Sequence, residues 1–132
     1  MKIFKILLTG FLFTFLLSGC LYDFIVPEEV PPVDPDNPDN PTISYSETIN
    51  PIFNNGNNCT SCHKTGSQLP DLTTDNSYKS INTSRYINDD VPEESKIYKH
   101  ISPETTTHTQ KKYTQTEAAA VLLWIHQGAK NN

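Results

Sequence analysis

Apolar side chains crowd the two ends of this 132-residue chain and thin out between them. Ile6 to Leu17 is an apolar run broken only by Thr9, Gly10 and Thr14, and it follows Lys2 and Lys5. A membrane span takes about 20 apolar residues, so the run is short for one; a basic start and a short apolar stretch predict a secretory signal. At the other end, Thr114 and Glu117 form an S/T-x-x-E capping box. Good helix formers follow to Ile125, and Gly128 is a natural stop, so the pattern predicts a helix with Ala118, Val121, Leu122 and Ile125 on its apolar face. The middle is weaker. Ser44 or Ser46 can cap a short helix through Ile49, Ile52 and Phe53, with Pro51 in its first turn or ending it. Asp75 can cap a turn through Tyr78 and Ile81, and Val91 to Ile101 has Val91, Ile97, Tyr98 and Ile101 at helical spacing with Pro92 near its start. Asn54 to Asn58 reads as a turn, 102–113 as a loop, and no period-2 run marks a strand. The predicted class is all-α with long loops.

Composition divides the chain further. Residues 21–42 carry six of the ten prolines and six acidic groups with no basic one. Such a segment predicts an extended, semi-rigid spacer. The rest, 43–132, has Leu, Ile, Val or Phe at only 15 of its 90 positions. Below about 20% such residues, a chain struggles to bury enough apolar surface to fold, and small polar domains need a staple or a cofactor. The organisation is then 1–19 signal, 20–42 linker and 43–132 a single domain. The formal charge of −5 argues against a nucleic-acid partner.

The three cysteines sharpen this picture. Leu17-Ser18-Gly19-Cys20 resembles the bacterial lipobox. That resemblance implies cleavage before Cys20, lipidation of its thiol, and a protein anchored by lipid in a bacterial cell envelope, on the periplasmic face or at the outer membrane. Cys59-Thr60-Ser61-Cys62-His63 is a C-x-x-C-H sequence, the pattern of covalent c-type haem attachment. On one helical turn, positions i and i+3 share a side, so two thiols can reach the two vinyl groups of one porphyrin edge. His63, at i+4, can reach the iron. A zinc site would need more ligands at suitable spacing, and a thioredoxin-like pair would need a strand–helix frame; neither is visible.

Around that motif the chain resembles bacterial class I cytochrome c domains, most closely the short planctomycete-type. The residues carrying the likeness are Thr48-Ile49-Asn50-Pro51-Ile52-Phe53, the C-x-x-C-H, Ser95-Lys96-Ile97-Tyr98, and Trp124-Ile125-His126-Gln127-Gly128-Ala129, in the family's order. The resemblance implies a small helical fold wrapped round one covalent haem, and one-electron transfer to redox partner proteins rather than enzymatic turnover. It also exposes a departure. The family supplies a distal methionine before its last helix, but the only methionine here is Met1. Near the matching place stands His108, so His63 and His108 are the expected axial pair. His100 is the next candidate, and His126 is expected at the surface. Leu69-Pro70 is expected against the proximal side, where the proline carbonyl can accept from His63. An open distal site would instead fit a haem-based sensor or a peroxidase-like domain.

Overall fold

The structure is a computed structural model that describes residues 34–55 and 59–132. The predicted signal, Cys20, residues 21–33 and the tip of the predicted turn at 56–58 lie outside the described residues. The described part is helical, with no strand among its residues. No described helix is long and apolar enough to cross a membrane.

Helix α1 begins as a wide π turn, Tyr45–Ile49, and continues as Asn50–Asn54. Ser44 is its cap: the Glu47 amide donates to the Ser44 hydroxyl at 3.2 Å. Pro51 sits in the first turn of the α segment, where its missing N–H costs nothing. Helix α2 is Ser77–Ile81. The side chain of Asp75 does not cap it. The turn starts from Thr73, whose carbonyl accepts from the Asn76 and Ser77 amides. The expected continuous helix from Val91 to Ile101 is instead two pieces, a 3-10 turn Pro92–Glu94 and α3, Lys96–Lys99. Ser95 breaks it. Its buried hydroxyl accepts from the Asn88 amide at 2.9 Å, so it serves the preceding loop instead of a helix. Residues 102–113 form the expected loop.

Helix α4, Gln115–His126, has both bonds of its capping box. Replacing Thr114 by alanine is expected to cost about 1 kcal/mol. That should lower the melting temperature by roughly 4–8 °C in a domain of this size, measured by circular dichroism. The face of α4 differs from expectation. Leu122 is only half-buried, whereas Leu123 and Trp124 are buried with Ala118, Val121 and Ile125. The helix has neighbours on more than one side, contacting α1, the 3-10 turn and α3. After it, Gly128 at φ +88° turns the chain back.

The core joins Ile49, Phe53, Ile81, Ile97, Val121 and Ile125 to Tyr45, Tyr86, Tyr113 and Trp124. Tyrosines enter it because their hydroxyls find partners: Tyr45 with Ser77 at 2.7 Å and Tyr113 with the Ile97 carbonyl at 3.0 Å. Burial pushes the Tyr45 phenol up to about 12. Before the core, the described end of the acidic proline-rich segment is turned rather than extended. Asp34 to Asn40 makes two successive turns, with the Asp34 and Asn37 side chains accepting from the Asp36 and Asp39 amides. Proline second in a turn after Asp or Asn favours this geometry. Contact with α4 begins at Pro41 and Ile43, both held by the side chain of Gln127.

Candidate functional site

The C-x-x-C-H sequence forms a single hydrogen-bonded turn. The amides of Cys62 and His63 both donate to the Cys59 carbonyl, at 3.2 and 2.9 Å. This is the i, i+3, i+4 arrangement that the spacing predicts. The turn is tied down on both flanks, by Cys59 N–H to the Phe53 carbonyl and by Leu72 N–H to the His63 carbonyl. Cys59 is half-buried and Cys62 exposed. Burial pushes the Cys59 thiol up, opposed by the Lys111 charge and reinforced by Glu117.

His63 Nδ1 stands 3.2 Å from the Pro70 carbonyl oxygen, as the sequence led us to expect. A carbonyl can only accept, so Nδ1 is the donor, and in the neutral imidazole Nε2 keeps its lone pair. The loop that presents Pro70 is knotted around its neighbour, Asp71, whose carboxylate accepts from Thr65, Thr73 and Asn76. The hydroxyls of Thr65 and Thr73 are the main cause holding this carboxyl down at about 2. An unfolded aspartate titrates near 3.9. The linkage therefore stabilises the fold above about pH 4 and is lost as pH falls through about 2. Asp71→Asn is expected to flatten that part of a plot of melting temperature against pH; an unchanged slope would contradict the linkage.

The turn opens into a cavity of about 790 Å³. Ligand sites commonly measure about 300–1,000 Å³. Cys59, Cys62 and His63 line one part of it, and the loop residue His108 lines another. The His63 and His108 ring centres are 6.3 Å apart, with 28° between their planes. His108 Nδ1 is a buried nitrogen with no hydrogen-bond partner. His100 also reaches the cavity; its ring centre is 5.7 Å from that of His108, and its Nδ1 pairs with the Thr107 hydroxyl at 2.9 Å. Burial, then the neighbouring His108 and Lys96, push His100 downward, toward the neutral imidazole. His126 is elsewhere, paired with Glu93 at 2.9 Å. Among the described residues, no three His, Cys, Asp or Glu side chains converge as metal ligands.

Apolar wall comes from Leu72, Tyr86, Ile97 and Ile101. Leu69, also in the wall, is 66% exposed. Phe53, Tyr98 and Trp124, expected at helix contacts or at a cofactor edge, belong to the core or its margin and do not line the cavity. Sequence reading missed Arg85, Tyr86 and Leu72 as wall residues. Leu72 and Tyr86 gave only an apolar pattern too short to distinguish a cavity wall from core, and Arg85 gave no signal. No family model, curated protein or solved structure matches this chain.

Proposed function

We propose that this protein is a monohaem c-type cytochrome that carries single electrons outside the cytoplasm, tethered to a bacterial envelope membrane through lipid on Cys20. One observation carries the reading: the C-x-x-C-H turn opens into a cofactor-sized cavity, and the ring of a second histidine, His108, stands 6.3 Å from that of His63 on its wall.

In this reading Cys59 and Cys62 would hold the porphyrin through thioether bonds, and His63 and His108 would hold its iron. A bound haem c supplies a one-electron couple whose potential the axial ligands and burial set. The chain's own part is positional. The Pro70 carbonyl fixes the His63 ring and keeps Nε2 available. Leu72, Tyr86, Ile97 and Ile101 exclude water from one side. Leu69, an apolar side chain left largely in water, would gain an apolar neighbour. His108 facing His63 favours a six-coordinate electron carrier over an open-site sensor or a peroxidase-like domain.

The test is a pyridine haemochrome spectrum with the intact mass of protein matured in a bacterial envelope. One covalent haem c per chain is expected. Two unmodified thiols and no tetrapyrrole would overturn the reading. Reduced protein that binds carbon monoxide readily would favour the open-site alternative.

A further inference from the structure

We propose that Ser80 is a positioning residue for His63, acting through the peptide group that joins Pro70 to Asp71. The inference rests on the haem reading and assigns a role to a helix residue that does not itself line the cavity.

That peptide group is bonded at both ends. Its carbonyl, on Pro70, accepts from His63 Nδ1 at 3.2 Å. Its N–H, on Asp71, donates to the Ser80 hydroxyl oxygen at 2.8 Å. The imidazole, the peptide and the hydroxyl thus make one hydrogen-bonded chain from the cavity wall to α2. Links in such a chain polarise one another, so an amide whose N–H is engaged offers a stronger carbonyl acceptor. A stronger acceptor at Nδ1 fixes the ring and makes Nε2 a more basic ligand. The chain has fixed supports. Pro70 is buried, and the Asp71 carboxylate is held by Thr65, Thr73 and Asn76. The Ser80 N–H donates to the Asn76 carbonyl at 2.9 Å, which fixes its backbone in α2. Serine inside a helix commonly turns its hydroxyl to solvent or back on its own helix. Here the hydroxyl leaves the helix and meets a loop amide nine residues away. That amide is part-buried, and without Ser80 it would lose the partner that orients the peptide plane.

The experiment uses the haem-loaded protein and two readouts, the reduction potential and deuterium exchange of the His63 ring N–H followed by NMR in the reduced state. Ser80→Ala should shift the potential upward, because a less basic ligand stabilises the oxidised state less. Its ring N–H should exchange roughly 2- to 10-fold faster, the fold-change that one net hydrogen bond represents. Ser80→Thr, which keeps the hydroxyl, should restore both values. Ser77→Ala is the control for loosening of α2. It strips a buried partner from the Tyr45 hydroxyl and should lower the melting temperature, yet leave the potential and the exchange rate where they are. A Ser80→Ala protein that matches the wild type in both readouts would refute the positioning role while leaving the haem reading intact. So would a Ser77→Ala protein that shifts both as far, since the effect would then belong to the helix as a whole. Wild-type protein that never acquires haem would overturn the underlying reading, and this inference with it.

Discussion

Replacing both motif cysteines, Cys59→Ala with Cys62→Ala, is expected to abolish covalent haem and to leave a chain that no longer folds cooperatively. The expectation comes from area. A porphyrin is larger than any aromatic side chain, and those bury about 150–250 Å² each. Twice that area, at about 25 cal/mol per Å², is worth roughly 10 kcal/mol. Whole domains are stable by only about 5–15 kcal/mol. A loss of that size matches the whole stability of a 90-residue domain, even with Tyr45, Tyr86, Tyr113 and Trp124 added to its 15 Leu, Ile, Val and Phe residues. Haem-stained gels and far-ultraviolet circular dichroism are the measurements. A double variant that stays helical and melts cooperatively within a few degrees of the wild type would show that the side chains suffice alone. Single cysteine variants should keep one thioether bond and retain haem.

The second large effect is expected at His108. In the haem-loaded protein, His108→Ala should convert a six-coordinate spectrum to a five-coordinate or water-ligated one. Reduced protein should then bind carbon monoxide readily, where the wild type resists it. His108→Met should restore six-coordination with a higher potential, since a methionine axial ligand raises it relative to histidine. His100→Ala is the control. His100 leans on His108 with its ring centre 5.7 Å away and bonds to Thr107, so its loss should loosen His108 without opening the iron. If His100→Ala opened the site and His108→Ala did not, the ligand assignment would be reversed.

Where the sequence misleads, long-range contacts are the cause. The count of aliphatic and phenylalanine residues made the domain look poorer in core than it is, because Tyr45, Tyr86, Tyr113 and Trp124 are all buried. Two of those tyrosines can be buried because a partner distant in sequence, Ser77 or the Ile97 carbonyl, receives the hydroxyl. The helix expected from Val91 onward fails because the Ser95 hydroxyl is committed to Asn88, a contact that no periodicity records. The Asp34 to Asn40 segment turns back on itself because Asp and Asn side chains bond to amides two residues on. That signal is local and legible in the Asp34-Pro35 and Asn37-Pro38 pairs.

The sequence by itself determined what near neighbours decide. The capping box of α4, the stop at Gly128 and the Cys59–His63 turn each follow from groups within four residues of one another, and each forms as its spacing requires. Only the tertiary structure decided what faces that turn. His108 is 45 positions from His63, and Tyr86 and Ile97, which line the same cavity, are joined by a backbone bond. Side chains this far apart are brought to one cavity by core packing and backbone bonds between segments, and no interval along the chain encodes that encounter.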